Sequence, residues 1–258
     1  MINVLADQYL HNIQSYLPEN INLILFDPTK RLPPELSYAE AMLVRTVINI
    51  NAQTMSEIPA SLKFIGTASA GTDHVDIDYL QKNGVRFADA AGCNARSVAE
   101  YVATALLIWA ETRKKDLSKL SMGIVGVGHV GTQVVKLLEK LGITTIPYDP
   151  PRSLRENNFD SATLDELLSA DMLSFHTPLT YKGDYPTFHW LDKEKLTGRE
   201  FQLVINSSRG GVIDEKELLK SIKAGNVRDI IIDVWENEPE FSLTTAQKAF
   251  IKTPHIAG

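Results

Sequence analysis

Ser121-Met122-Gly123-Ile124-Val125-Gly126-Val127-Gly128-His129-Val130-Gly131 is the stretch whose reading decides the fold. Ile124, Val125 and Val127 read as a short buried strand, and Val130, Val134, Val135, Leu137 and Leu138 continue as the apolar face of a helix. Between them, Gly126, Gly128 and Gly131 fill a G-x-G-x-x-G spacing. In a strand–turn–helix of this kind the first glycine allows the tight turn, and the second lets backbone N–H groups approach a pyrophosphate. The third lets the helix pack closely on the strand. The helix N-terminus then faces the phosphates with its orphan donors and the positive end of its dipole.

Outward from this turn, a second strand, Thr144 to Tyr148, ends at Asp149, which lies 18 residues past Gly131. An acidic residue about 20 positions on is where a carboxylate accepts the ribose hydroxyls of NAD, and its charge repels the extra phosphate of NADP. The plainer reading is an ordinary βαβ unit with an aspartate in a turn. Strand, glycines, helix, second strand and acid in this order favour a nucleotide site that prefers NAD.

Composition sets the bounds. The 258 residues suggest two modest domains, and 44% apolar with 22% charged residues is the balance of a globular protein with enough material for real cores. A net charge of −6 with no basic run argues against nucleic acid as a partner. The single cysteine, Cys93, excludes an intrachain disulfide and fits a reducing compartment. Ile2-Asn3-Val4-Leu5 is strand-like with no basic leader before it, and no stretch approaches the roughly 18 apolar residues of a membrane span. The expectation is a cytoplasmic protein with no membrane contact and no metal.

Along the chain, strand and helix alternate. Ile2 to Ala6, Ile21 to Phe26, Met42 to Ile48, Leu62 to Ala68 and Val85 to Ala88 read as strands, with helices at Gln8 to Leu17 and Asp76 to Lys82. A long helix, about Ala95 to Glu111, carries Val98, Tyr101, Val102, Ala105, Leu106 and Trp109 on one face, as suits a buried helix linking two domains. After the glycine-rich turn come strands at Met172 to Phe175, Gln202 to Ile205 and Asp229 to Ile232, with a helix at Asp214 to Ala224. This alternation predicts parallel sheets in an α/β fold of two domains, the second doubly wound, with ligands held at the carboxyl ends of strands. The boundaries expected are residues 1–92 for a first domain and 93–254 for a Rossmann-type domain.

The loops after these strands carry the candidate chemistry: His176-Thr177-Pro178, Asn206-Ser207-Ser208-Arg209-Gly210-Gly211, Asp233-Val234-Trp235-Glu236-Asn237-Glu238-Pro239 and Thr253-Pro254-His255. Arg209 at a loop tip has the planar fork that grips a carboxylate, although an arginine at a strand end is often just solvated or salt-bridged. Among six histidines, His176 and His255 are both candidates for an acid or base, and the residues alone do not choose between them. A carboxylate such as Glu238 beside either favours the charged imidazolium. In the first half, Gly66-Thr67-Ala68-Ser69-Ala70-Gly71-Thr72-Asp73-His74-Val75-Asp76 reads either as an anion-binding nest or as a plain capped turn.

Taken together, Gly66-Thr67-Ala68, Gly71-Thr72-Asp73, the Gly126/Gly128/Gly131 turn, Asn206-x-x-Arg209-Gly210, Asp233-Val234-Trp235-Glu236-x-Glu238-Pro239 and Pro254-His255-Ile256-Ala257-Gly258 resemble the D-isomer-specific 2-hydroxyacid dehydrogenase family. The resemblance covers nearly the whole chain and implies a flavodoxin-like substrate domain ahead of a Rossmann-type NAD-binding domain. It also implies NAD as hydride acceptor and a small phosphorylated 2-hydroxy acid as substrate. Carried onto these positions, it makes Arg209 the anchor of the substrate carboxylate, His255 the acid/base on the C2 hydroxyl and Glu238 its carboxylate partner. Gly126, Gly128, Val130, Gly131, Asp149, Thr177, Asp233 and Gly258 fall to the cofactor, and Thr46 and Thr67 to the substrate. His176 becomes a residue that lines the cleft. Family members continue beyond the His-Ile-Ala-Gly motif, so residues 255–258 are expected to begin a C-terminal return segment, and the longer protein to be a homodimer. Two other readings stay open: a sister enzyme for another acid, such as 3-phosphoglycerate, and an NAD-sensing binding protein on the same fold.

Overall fold

A computed structural model describes residues 1–258, which divide into two compact units, Met1–Cys93 and Asn94–Gly258. The division falls one residue after the expected boundary, and the long helix belongs wholly to the second unit. In the first unit, strands β1 (Ile2–Asp7), β2 (Ile21–Phe26), β3 (Ala41–Val44), β4 (Phe64–Thr67) and β5 (Arg86–Ala88) form one parallel sheet in the order β2-β1-β3-β4-β5. That is the flavodoxin-like order, in which strand order reverses beside the first strand. Leu5, Met42, Val44, Ile65 and Leu80 are buried in its core.

Two helices of this unit are short, α1 (Ile13–Tyr16) and α2 (Ile77–Lys82). The helix expected from Gln8 therefore starts five residues late. The Asp7 carboxylate accepts the N–H of Tyr9 at 2.8 Å, and Asn12 sits in the left-handed region at φ 51°, so the chain turns before it coils. The strand expected to reach Ile48 stops at Val44, where the chain turns over Thr46 and Val47. Ile48 and Ile50 still enter the core, and Ile50 pairs instead with Val75.

The second unit holds β6 (Ser121–Val125), β7 (Thr144–Tyr148), β8 (Met172–Phe175), β9 (Phe201–Asn206), β10 (Val227–Ile232) and β11 (Ile251–Lys252), all parallel, in the order β11-β10-β9-β8-β6-β7. Strands buried on both faces read as near-continuous apolar runs, and residues 122–125 and 203–205 supply them. Met122, Ile124, Leu203, Ile205 and Ile231 point to one face, where α3 (Ala95–Arg113) and α4 (His129–Lys140) cover them with Val98, Val102, Leu106, Trp109 and Val134. Val125, Leu173, Val204, Ile230 and Ile232 point to the other, under α6 (Leu164–Leu168), α7 (Lys193–Leu196), α8 (Glu215–Ala224) and α9 (Leu243–Lys248). The remaining helix, α5 (Pro150–Arg155), starts directly after β7. Each such side chain contributes about 1.5–3 kcal/mol when fully buried.

One polar anchor fixes α3 on the sheet. Asp229 of β10 accepts the Trp109 indole N–H at 2.9 Å and the Arg113 guanidinium at 2.6 Å. No helix of the protein is long and apolar enough to cross a membrane.

Candidate active site

Strand order in the second sheet reverses at β6, with β7 on one side and β8 on the other, so the loops leaving β6 and β8 part and leave a crevice. Both loops line a cavity of about 550 Å³ together with the end of β7 and the start of α5. The turn after β6 is built by its glycines. Gly126 lies at φ 86°, and a Cβ there would stand 2.8 Å from the carbonyl oxygen of His176. At Gly131 a Cβ would fall 2.0 Å from the carbonyl oxygen of Gly126, so only glycine lets α4 sit this close to the strand. A Cβ at Gly128, by contrast, would meet nothing within 4 Å. The chain is open there, where a phosphate approaches such a turn. Val130 stands in the first turn of α4, whose N–H groups have no partner within the helix.

Asp149 ends β7 and caps α5, accepting the N–H of Arg152 at 3.0 Å through one oxygen and the N–H of Val127 at 2.8 Å through the other. The second bond ties the glycine-rich turn to the end of β7, and the carboxylate still faces the cavity. Arg152 reinforces the tie by donating to the carbonyl of Val127 at 2.7 Å and the Thr132 hydroxyl at 3.1 Å, while its guanidinium lies over Phe159. Across the crevice, Thr177 Oγ1 is buried with no hydrogen-bond partner. An orphaned hydroxyl, a glycine cradle and an open approach at Gly128 together fit a dinucleotide. The aromatic residues Tyr148 and Trp190 close the far end, their centroids 5.7 Å apart, and burial raises the Tyr148 phenol above its usual range.

His176, one of the two histidine candidates, lines this cavity. Its Nε2 shares a 2.9 Å hydrogen bond with Ser174 Oγ, and burial pushes its pKa down to about 3, which leaves it neutral at physiological pH. A ring this hard to protonate is a poor proton acceptor and a good wall.

The other candidates gather at the ends of β9, β10 and β11. Asn206 folds the loop after β9: its carboxamide accepts Ser208 N–H and donates to the carbonyl of Arg209. Arg209 is thereby held beside Gly210, where a Cβ would collide at 2.0 Å with the Trp235 carbonyl. The Arg209 loop and the loop after β10 are thus in backbone contact. In that second loop Glu238 accepts the Trp235 N–H at 2.6 Å with Oε1 and reaches His255 Nδ1 at 2.9 Å with Oε2.

Asp233, 1% exposed, is the anchor of the segment after β11. Its carboxylate accepts the Thr253 hydroxyl at 2.6 Å and the N–H groups of Ile256 and Ala257 at 2.9 and 3.0 Å, and its backbone carbonyl accepts the N–H of His255 at 2.7 Å. His255 is held in the left-handed region at φ 56°. Tyr101 donates to Thr253 at 2.7 Å and completes this network, with burial raising its phenol. Asp233 therefore spends its acceptors on the chain itself. Gly258 is exposed, and a Cβ there would stand 2.7 Å from Val98 Cγ2 at the start of α3.

In the first unit, Thr46 follows β3 and Thr67 ends the neighbouring strand β4, where it is in register with Val44. Thr46 is exposed in its turn. Thr67 is buried, its hydroxyl 3.0 Å from His74 Nε2 and 2.8 Å from Ser69 Oγ. These internal contacts favour the capped-turn reading of the loop.

Residues 95–257 match the family model described as D-isomer specific 2-hydroxyacid dehydrogenase, NAD binding domain. The chain is 43% identical over 234 residues to the erythronate-4-phosphate dehydrogenase of Escherichia coli O17:K52:H18, covering 90% of this chain and 61% of that protein. It is 46% identical over 235 residues to the enzyme of the same name from Citrobacter koseri, with the same shares covered. Among solved structures, it is similar to the D-lactate dehydrogenase of Aquifex aeolicus complexed with NAD and lactic acid, at a TM-score of 0.76 and 24% identity over 99% of this chain and 88% of that one. It is also similar to an NADPH-dependent glyoxylate/hydroxypyruvate reductase from Sinorhizobium meliloti, at a TM-score of 0.81 and 20% identity over 100% of this chain and 88% of that one. These two likenesses bear on the fold. The chain spans 61% of the length of the curated relatives it matches.

Proposed function

This chain belongs to the D-isomer specific 2-hydroxyacid dehydrogenase family, and we propose that it carries the cofactor site and the reacting residues of an erythronate-4-phosphate dehydrogenase. The reaction is oxidation of 4-phospho-D-erythronate at C2 to 2-oxo-3-hydroxy-4-phosphobutanoate, a step of pyridoxal 5'-phosphate (vitamin B6) biosynthesis. The observation that carries the reading is the 2.9 Å contact of His255 Nδ1 with Glu238, presented from adjacent strand ends beside the Arg209 loop. A binding protein has no chemical need for that pair.

NAD, when bound, supplies the acceptor for the C2 hydride. Gly126, Gly128, Val130, Gly131, Asp149 and Thr177 would hold it, with Asp233 and Gly258 shaping the end nearest the chemistry. Arg209 grips the substrate carboxylate with its planar fork and fixes which face of C2 is presented. Glu238 accepts from Nδ1–H of His255, which selects the tautomer whose Nε2 has a lone pair. Nε2 takes the C2 hydroxyl proton as the carbonyl forms, and Glu238 stabilises the resulting imidazolium. The family resemblance assigns Thr46 and Thr67 of the first unit to the substrate as well. The single cysteine supports placing the enzyme in the cytoplasm, and the longer protein is proposed to be a homodimer.

The test is NADH formation with 4-phosphoerythronate, 3-phosphoglycerate and D-lactate side by side, run with the wild type and with His255→Ala and Arg209→Ala. Preference for the first acid, lost in both variants while NAD still binds, is expected. Preference for another acid would overturn the substrate, and undiminished turnover in both variants would overturn the residues.

A further inference from the structure

His189 takes no part in the reaction just described, yet three segments of the site meet at it. It lies between β8 and α7, at φ 50°, a backbone region that residues with a Cβ rarely adopt. Its N–H donates to the carbonyl of Gly211 at 2.7 Å, two residues from Arg209. Its ring stacks on Phe188, with centroids 3.9 Å apart and planes 17° apart. Nε2 stands 2.8 Å from Glu236 Oε1, and Nδ1 3.7 Å from Asp214 Oδ2.

Glu236 is two residues from Glu238, and its own N–H donates to Glu215 Oε1 at 3.1 Å. Three acids, Glu236, Asp214 and Glu215, therefore converge here, with the imidazole set between the first two. Two glutamates of the loop after β10 each meet a histidine: Glu238 meets His255 and Glu236 meets His189. The imidazole and backbone of His189 thus tie the loop after β10 to the Gly211 segment. That loop also positions Glu238.

We propose that His189 is a positioning residue: by holding Glu236 and Gly211 at once, it fixes the loop of Glu238 against the loop of Arg209. The inference rests on the reading of Arg209, Glu238 and His255 as the reacting groups. A displacement of about 1 Å at such groups costs on the order of 100-fold in rate, so a partial release is visible in kcat.

The experiment uses the full-length protein with His189→Ala, His189→Gln, Glu236→Ala and His255→Ala, read by hydrogen–deuterium exchange over residues 233–239 and by kcat and KM. His189→Ala is expected to speed exchange at Trp235 and Glu236 and to lower kcat at least about 10-fold, with KM for NAD within about 2-fold. His189→Gln, whose amide reaches the place of Nε2, is expected to recover most of both. Glu236→Ala removes the same contact from the other side and is expected to behave like His189→Ala, which covers the case of a His189 variant that does not fold. Wild-type exchange and kcat in His189→Ala, or a loss that His189→Gln leaves unrepaired, would overturn the positioning role. Undiminished turnover in His255→Ala would instead overturn the assignment of the reacting groups.

Discussion

Asp233→Asn keeps the size of the side chain and replaces one acceptor oxygen by a donor. In the wild type, Oδ1 receives the Thr253 hydroxyl and the Ile256 N–H, and Oδ2 receives the Ala257 N–H, all in a site that is 1% exposed. Whichever way the amide turns, its NH2 group faces at least one backbone N–H that then has no acceptor. Hydrogen bonds to a charged group contribute about 1.5–3 kcal/mol, and an orphaned buried donor costs about 1–3 kcal/mol. Relief of burying a charge offsets part of this, so a net loss of about 2–4 kcal/mol is expected. At about 2–4 °C per kcal/mol for a unit of this size, the melting midpoint should fall by roughly 4–16 °C. Residues 253–257 should exchange their amides faster, and kcat should drop, because the left-handed turn at His255 is fastened by this residue. Thermal melting followed by circular dichroism, with exchange mapped by mass spectrometry, reads both effects. A midpoint within 2 °C of wild type and unchanged exchange over 253–257 would refute the role given to this carboxylate.

Two further outcomes follow from the geometry. Gly131→Ala places a methyl 2.0 Å from the Gly126 carbonyl oxygen, so α4 must retreat from the turn; NAD affinity measured by fluorescence titration should fall at least about 10-fold, in line with an overpacking cost of about 1–3 kcal/mol. His176 has its pKa lowered to about 3 in the fold, from 6.5 when unfolded, so the unfolded chain binds the extra proton between those values. Its contribution is full above pH 6.5 and is lost as pH falls toward 3, at no more than about 1.4 kcal/mol per pH unit. Urea midpoints at pH 7, 6 and 5 should fall less steeply for His176→Asn than for wild type, and parallel slopes would show that the ring is not held neutral.

The parts of the fold that depend on local pattern were legible. Apolar runs marked β6, β8, β9 and β10, and the change of period after Val127 marked the start of α4. The short helix α1 was not, because Asp7 and Asn12 bend the chain by side-chain and left-handed geometry that apolar spacing does not encode. Nothing periodic announces α5 either; two prolines begin it, tolerated because the first N–H groups of a helix have no partner within it. At the site, the glycines could be read because three residues suffice to make the turn. His255 could not be preferred over His176 from the residues alone, since the deciding partner is Glu238, 17 positions away, and proximity of that kind is fixed only by the order of strands in the sheet. His189 gave no signal at all; its partner Glu236 is 47 residues distant.

Arg209, Glu238 and His255 leave consecutive strands of a single sheet, whereas Thr46 and Thr67 leave adjacent strands of a different sheet in the other unit. On the function proposed above, the proton chemistry and part of the substrate recognition are written in separate stretches of the gene. A laboratory evolution campaign aimed at new 2-hydroxy acids can randomise the turns after β3 and β4 and leave codons 94–258 untouched. Most members of such a library should keep the proposed reacting residues and the Arg209 anchor intact, so that screening effort falls on the rest of the acid.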